Sequence, residues 1–238
     1  MGVADPHCHT RASDGMVTPG ELVRDAIARG LDLVAVTDHD TVANARDTRE
    51  RGEAAGLAVV PGQEVTTGWP AQTHVLAWFV ETHVRGGMSL ADTVEAIHDQ
   101  GGLAVIPHPF MPIYFASCQP GMLARLIEDR TVDGIELVHT APSSKARTSL
   151  LQRFYAENSE RLGAAIGASD SHFGKHDLGR AVTEFPGSTA EDFRAAVVAR
   201  RTVARTGRRD GGATLQMRVQ QQYHSLIELP LKRLRGQL

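Results

Sequence analysis

Several common signals of structure and function are missing from this sequence. The chain of 238 residues has two cysteines, which are too few and too far apart to suggest a disulfide framework. It has no run of about 18 consecutive apolar residues, so we expect no membrane-spanning helix. It also lacks a Walker loop, a dinucleotide-binding glycine fingerprint and a serine nucleophile elbow. These absences argue against a membrane protein, a disulfide scaffold or a serine hydrolase, and nothing in the sequence requires an organic cofactor.

The length and composition are those of one globular domain. Hydrophobic residues make up 42% of the chain, enough for a large core, and α/β barrels of this size commonly form a single domain. The N-terminus leads into a strand pattern without a charged and then apolar leader, so we expect a cytoplasmic protein.

The C-terminal part differs from the rest in charge. The formal net charge is -3, yet the chain from residue 200 onward carries nine Lys or Arg against two acidic residues. Residues 206–214 are rich in glycine and charge, which is typical of a linker. We expect residues 206–238 to form this linker and a basic amphipathic appendage that docks on the barrel, on another subunit or on an anionic surface, and that does not build the active site. A solvated charged terminus is the alternative.

Strand and helix signals alternate along the chain. A capping box at Thr18 and Glu21 predicts the start of a helix that ends at Gly30. The continuous apolar run at 33–36 is typical of a parallel strand buried on both faces. Strands are predicted at residues 3–5, 33–36, 58–62, 74–80, 103–106, 134–138, 164–167 and 181–185, with helices between most of them. Such alternation indicates right-handed βαβ units in a barrel or a doubly wound sheet.

Residues of the types that bind metal ions recur where predicted strands give way to loops. They occur at seven places along the sequence: His7 and His9, Asp38 and His39, Glu64, His74, His108, Glu136, and Asp170 and His172. In a barrel the loops after the strands converge at one mouth, so residues far apart in sequence become neighbours. This distribution favours the barrel and predicts a site for several divalent ions. Paired ions typically hydrolyse phosphate esters, because they hold both the attacking and the leaving oxygen.

Some of these residues have a second interpretation when taken singly. The His-x-His pattern also occurs on ordinary surfaces, and His74 opens a predicted strand, as a structural histidine does. Asp5 and Asp38 adjoin candidate ligands and either accept an N–H from a ligating imidazole or cap a loop. Glu136 and His139 either line a substrate pocket or lie in a solvated loop.

The motifs together resemble those of the polymerase and histidinol phosphatase (PHP) superfamily of metal-dependent phosphoesterases. The matching segments are D-x-H-x-H at 5–9, S-D-G at 13–15, T-D-H-D at 37–40, Glu64, His108 with its proline, and S-D-S-H at 169–172. Their order and spacing make the match specific. The resemblance implies a distorted (β/α)7 barrel with its active site at the C-terminal ends of the strands, formed by residues 1–205.

The resemblance also implies two to three divalent ions, Mn, Fe or Zn, in neighbouring sites. One ion would be held by His7, His9, Glu64 and Asp170, a second by Glu64, His74 and His108, and a third by Asp14, His39 and His172. Glu64 would bridge two ions because a carboxylate has two oxygens. Asp14 stands where some family members have histidine, and this harder oxygen ligand weakens the third site or changes its metal preference.

The function implied by the resemblance is that of a metal-dependent phosphoric ester hydrolase. The candidate catalytic residues, which would hold the ions that share an attacking hydroxide, are His7, His9, Glu64 and Asp170. The candidates for binding the substrate phosphate, if they are not ordinary surface charges, are Lys145, Arg147 and Arg180. The S-D-G form is closer to the nucleotide phosphatases and 5′-end ribonucleases of the family, so we expect nucleotide or short oligonucleotide phosphates as substrates. The alternatives are a phosphatase for a small metabolite such as histidinol phosphate and a non-catalytic metal-binding regulatory module.

Overall fold

The elements of the fold are taken from a computed structural model that describes residues 1–111 and 116–234. The strands are β1 (Gly2–Cys8), β2 (Leu33–Val36), β3 (Ala58–Thr66), β4 (His74–Trp78), β5 (Leu103–Ile106), β6 (Gly134–His139), β7 (Ala164–Ala168), β8 (Ala181–Phe185) and β9 (Val203–Thr206). The α-helices are α1 (Pro19–Ala28), α2 (Ala45–Ala55), α3 (Leu90–Asp99), α4 (Pro120–Asp129), α5 (Lys145–Leu162), α6 (Ala190–Val198), α7 (Leu215–Tyr223) and α8 (Leu229–Leu234). A 3₁₀ turn (Gly174–His176) follows β7, and a π-helical turn (His224–Glu228) joins α7 to α8.

The strands form a nearly closed barrel. Their order in the sheet is β7-β6-β5-β4-β3-β2-β1-β8-β9. The sheet curls until β7 approaches β1, where Cys8 and Ser171 form a parallel bridge. The Ser171 N–H donates to the carbonyl oxygen of His7 at 3.0 Å, and the His9 N–H donates to that of Ser171 at 2.8 Å. The predicted distorted barrel is therefore confirmed, whereas the sequence did not predict β9.

Strand β4 runs against its neighbours, which the alternation of strands and helices did not predict. It pairs antiparallel with both β3 and β5, whereas the other neighbours among β1 to β7 are parallel. No helix lies between β3 and β4, and the short connection 67–73 suits an antiparallel pair. Thr66, the last residue of β3, lies opposite His74, the first residue of β4. The start of β4 therefore lies at the same mouth as the ends of the parallel strands.

The two faces of β2 contribute to separate apolar clusters. Leu33 and Ala35 pack in the cluster that fills the barrel, while Val34 and Val36 pack outside it against α1. All four side chains are buried. Burial on both faces accounts for the uninterrupted apolar run in the sequence.

Helix α6 closes the end of the barrel opposite the mouth. Its residue Phe193 is fully buried, with its ring centroid 5.3 Å from that of Trp78 and 5.2 Å from that of Phe185. Phe185 pairs with Gly2 at the start of β1, which fixes this contact at the N-terminal end of the parallel strands. Because this end is packed with aromatic rings, the polar mouth is the part left for chemistry.

The C-terminal segment returns to the barrel. Residues 207–214 have no regular secondary structure, but the N–H groups of Gly207 and Arg208 donate to the carbonyl oxygens of Arg180 and Gly179 at 2.9 and 3.0 Å. Helices α7 and α8 follow, and residues 235–238 of the predicted appendage lie outside the described residues. Among residues 1–111 and 116–234, no helix is both long enough and apolar enough to cross a bilayer.

Candidate metal centre

All nine candidate ligands lie at the mouth of the barrel, within reach of one another. His7 is in β1, Glu64 is in β3 and His74 is the first residue of β4. The other six follow strands β1, β2, β5 and β7: His9 and Asp14, His39, His108, and Asp170 and His172. His74 had the weakest sequence support because it opens a strand. The reversed direction of β4 explains how it reaches the mouth.

Glu64 lies at the centre of the cluster with its side chain fully buried. Its Oε1 is 2.7 Å from His74 Nδ1 and 3.1 Å from His108 Nε2. Its Oε2 is 3.2 Å from each of three imidazole nitrogens, His7 Nε2, His9 Nε2 and His39 Nδ1. The two oxygens thus face different histidines, which is the geometry that a carboxylate shared by two ions requires.

The side chains fall into three overlapping groups that could each hold an ion. Within each group the ligand atoms lie no more than 4.8 Å apart, and the groups are His7, His9, Glu64 and Asp170; His39, Glu64 and His74; and His9, Asp14, His39 and His172. The first group has the composition inferred from the sequence. The second group contains His39 with Glu64 and His74, while His108 lies against Oε1 of Glu64. The third group contains His9 in addition to the inferred ligands Asp14, His39 and His172.

The orientation of His7 and His9 fits a bound cation. His7 Nδ1 lies 2.8 Å from Glu136 Oε1, so in the neutral ring this nitrogen carries the hydrogen. The lone pair of His7 Nε2 then faces His9 Nε2 at 3.1 Å and Asp170 Oδ1 at 3.3 Å. Lone pairs that converge in this way repel one another unless a proton or cation lies between them. Imidazole and carboxylate together suit Mn, Fe or Zn, so the residues present fit divalent ions.

The charges of the cluster balance one another in the buried mouth. Burial alone would lower the pKa of His7, but the carboxylates of Asp170, Glu64 and Glu136 raise it well above its usual value. Burial alone would raise the pKa of Glu64, but neighbouring histidines, His74 and His39 foremost, lower it well below its usual value. Divalent ions would take the place of these protons, because metal binding requires neutral imidazole and charged carboxylate.

Glu136 orients His7, a role that neither sequence interpretation assigned to it. Its side chain is fully buried at the mouth end of β6. Its Oε1 accepts from His7 Nδ1 at 2.8 Å, and its Oε2 accepts from the backbone N–H of His108 at 2.7 Å. A carboxylate on the far nitrogen of a ligating imidazole fixes the tautomer and the ring orientation. Glu136 is therefore not in a solvated loop, and no sequence signal distinguishes this role from pocket lining.

Asp5 and Asp38 follow the loop-capping interpretation. Asp5 accepts from the backbone N–H groups of Ser169 and Gly179 at 2.9 and 2.7 Å, and burial raises its pKa to about 7. Asp38 accepts from the N–H of Thr10 at 2.7 Å and from the Ser13 hydroxyl at 2.6 Å. These contacts hold in place the loops that carry the candidate ligands. The expected hydrogen bond from an imidazole goes to Glu136 instead.

His139 and the three candidate phosphate-binding cations lie at less constrained positions. His139 is half-buried at the end of β6, and burial lowers its pKa. Lys145 is exposed at the start of α5, Arg147 is half-buried two residues later in the same helix, and Arg180 is half-buried just before β8. All three stand in or after loops of the mouth. Their contact with a phosphate is an expectation from their placement.

The backbone at the mouth is constrained where ligands are presented. Asp170 and His108 have φ angles of 54° and 29°, in the left-handed region that side chains other than glycine seldom adopt. Gly15 lies so close to His9 that a Cβ at this position would be 2.4 Å from the carbonyl carbon and oxygen of His9. The glycine of the S-D-G motif therefore lets the loop with Asp14 fold against the end of β1.

A residue of the C-terminal segment also reaches the cluster. The Gln221 Nε2 of α7 donates to Asp14 Oδ2 at 2.9 Å, and His224 Nε2 donates to the carbonyl oxygen of Ser13 at 3.0 Å. Both side chains are buried. The segment was expected to lie outside the active site, and Gln221 is the residue through which it contacts a candidate ligand. No motif pointed to it, because a single glutamine in a polar helix has no distinctive sequence pattern.

Comparisons with known proteins agree with this geometry. The PHP domain family matches residues 5–201. A 3′,5′-nucleoside bisphosphate phosphatase of Chromobacterium violaceum is 25% identical over 206 residues, covering 77% of this chain and 71% of that protein. The 5′-3′ exoribonuclease Rnm of Salmonella typhimurium is 34% identical over 117 residues, which cover 42% of this chain and only 40% of that enzyme.

A solved structure shows the same fold. It is a two-domain protein of Bacteroides vulgatus that contains a predicted PHP-like metal-dependent phosphoesterase. It superposes with a TM-score of 0.72 at 22% sequence identity, over 87% of this chain and 65% of that one. The family match covers most of the chain and includes the strands that carry the ligand cluster. The chain therefore belongs to the PHP domain family.

Proposed function

We propose that the chain hydrolyses phosphate esters of nucleotides or short oligonucleotides with two to three divalent ions, Mn, Fe or Zn. The observation that carries this proposal is the arrangement around Glu64, where three groups of candidate ligands share members and lie at the mouth of the barrel. Overlapping groups support several ions close together, which is the arrangement that two-metal hydrolysis of phosphate esters uses.

Each part of the mouth has a role in this proposal. His7, His9, Glu64 and Asp170 would hold the central ions, and Glu136 would keep the ring of His7 in its ligating orientation. When bound, such ions lower the pKa of water and stabilise charge on a phosphate. Lys145, Arg147 and Arg180 would bind the remaining phosphate oxygens, arginine in bidentate fashion.

Two observations support a nucleotide substrate. Asp14 offers a carboxylate oxygen to the group of His9, His39 and His172, which fits the S-D-G form of the family. Two relatives are named as a nucleoside bisphosphate phosphatase and an exoribonuclease. The C. violaceum relative matches 77% of this chain and the exoribonuclease 42%, which favours a nucleotide over a longer polymer as the substrate.

A substrate comparison with the manganese-loaded chain tests this proposal. Phosphate release would be measured from 3′,5′-nucleoside bisphosphates, 5′-phosphorylated oligoribonucleotides, histidinol phosphate and p-nitrophenyl phosphate. We expect the highest kcat/KM on one of the two nucleotide classes. A preference for histidinol phosphate would support the small-metabolite alternative, and metal binding without any hydrolysis would support the regulatory module.

A further inference from the structure

The contact between Gln221 and Asp14 links the C-terminal segment to a candidate ion site. We define this segment as residues 215–234, from α7 to α8. It approaches the loop between β1 and α1, and its hydrogen bond to Asp14 joins residues 207 positions apart in the chain. Gln221 itself is not a candidate ligand, because its amide nitrogen, and not its oxygen, faces the carboxylate.

Neighbouring contacts set the orientation of the Gln221 amide. Its Oε1 accepts from Gln222 Nε2 at 2.9 Å, which leaves Nε2 to donate towards Asp14. One turn later, His224 lies with Nε2 3.0 Å from the carbonyl oxygen of Ser13 and Nδ1 2.8 Å from Glu228. Leu229, at the start of α8, is also buried. The helix is thus held at the glutamine and again on its C-terminal side, which limits the movement of the donor.

This donor leaves the two oxygens of Asp14 in different environments. Oδ2 is taken by Gln221, while Oδ1 is buried and makes no hydrogen bond within the described part of the chain. Oδ1 lies 3.2 Å from His172 Nε2, 3.6 Å from His39 Nε2 and 3.8 Å from His9 Nδ1. The hydrogen bond therefore directs Oδ1 and its lone pairs towards the three histidines and holds Oδ2 away from them.

We propose that Gln221 is a positioning residue that holds Asp14 as a single-oxygen ligand for an ion at His9, His39 and His172, so that the C-terminal segment sets the affinity of this site. The inference rests on the proposed metal-dependent function. Without the amide donor, Asp14 is free to rotate about its side-chain bonds, and ordering it again opposes ion binding. Removing a hydrogen-bond partner of a metal ligand typically lowers affinity about 10–100-fold.

The test is a manganese titration of the metal-free full chain by calorimetry, with bound ions counted by elemental analysis. We expect Gln221→Leu, which keeps the side-chain bulk and removes the donor, to raise the Kd of the weakest ion about 10–100-fold. The tighter ions should be unchanged. Gln216→Leu is the matched control, because Gln216 is exposed on the same helix, and it should bind as the wild type does.

Two further variants separate positioning from a general loss of structure. Gln221→Asn keeps the amide but is one methylene too short to span the contact, and it should weaken the same ion with little change in the melting temperature of the metal-free chain. Asp14→Ala should remove the weakest ion, and adding Gln221→Leu to it should have no further effect on the remaining ions.

Three results would overturn the proposal. They are an unchanged Kd in both Gln221 variants, an effect of Gln221→Leu that persists in the Asp14→Ala background, and a wild-type chain that binds no ion requiring Asp14. These measurements involve no turnover. Failure to hydrolyse nucleotides would therefore count against the proposed function and leave this inference standing.

Discussion

Replacing Glu64 with glutamine tests the metal centre at its most connected residue. The substitution keeps the shape of the side chain and removes one negative charge that faces five histidines, His74 and His108 at Oε1 and His7, His9 and His39 at Oε2. One amide oxygen is left as a ligand and the other position becomes an N–H donor, which cannot bind a cation. Both groups that contain Glu64 are therefore affected together.

The expected loss follows from the charge removed. Two unit charges about 4 Å apart interact by about 4 kcal/mol at an effective dielectric constant of 20. Such a loss corresponds to about a thousandfold weaker binding for an ion beside Glu64. At micromolar free manganese, we expect Glu64→Gln to lose at least one ion per chain and to reduce phosphoesterase kcat/KM by about a thousandfold or more.

The assay compares metal content, turnover of p-nitrophenyl phosphate and thermal unfolding of the metal-free chain. Glu50→Gln is the matched control, because its side chain is 66% exposed in an ordinary helix pair with Arg46. It should keep full activity and metal content. Wild-type metal content and turnover in Glu64→Gln would refute the assignment of Glu64 as the shared ligand.

Three further predictions concern the same mouth. When the free metal is at about 100 times its Kd, binding adds about 2.7 kcal/mol per ion to the free energy of unfolding. Chelation should remove this contribution and lower the melting temperature by roughly 5–11 °C for a chain of this size. An unchanged melting curve would contradict a resident metal. Asp170→Ala should lower the rate of hydrolysis by several orders of magnitude, about 10³-fold or more by the same charge argument. His83 is exposed and lies outside the motifs, so His83→Ala should leave the rate nearly unchanged. Equal losses in the two variants would indicate general destabilisation. Gly15→Ala places a Cβ 2.4 Å from the backbone of His9 and should cost about 1–3 kcal/mol of unfolding free energy, and denaturant unfolding that matches the wild type would show that the loop adjusts freely.

The sequence predicted the barrel and the location of the ligand cluster because both depend on local patterns. Alternating strands and helices imply loops that converge at one mouth, and β2 shows the apolar run of a strand buried on both faces. His7 and Glu64 could be placed from their positions at strand ends and from the family motifs.

Features that depend on pairing or on distant contacts could not be predicted in this way. The reversal of β4 is a property of its partners, β3 and β5, and an apolar strand has the same pattern in either direction. Whether Glu136 or Asp5 accepts the hydrogen bond from His7 depends on which carboxylate lies within hydrogen-bonding distance of the ring. The contact from Gln221 to Asp14 depends on how a distant helix packs.

The central position of Glu64 follows from the strand pairing that the sequence left open. Strand β3 extends beyond the end of β2, and there Glu64 pairs with Leu76 of β4 on one side and forms a bridge with His39 on the other. The Glu64 N–H donates to the carbonyl oxygen of Asp38 at 3.1 Å, and its own carbonyl oxygen accepts from the Asp40 N–H at 2.9 Å. A residue held on both sides in this way has little freedom to move. The shared carboxylate is therefore fixed by the sheet, whereas Asp14 and Asp170 lie on loops that need hydrogen bonds from elsewhere in the chain to reach the same precision.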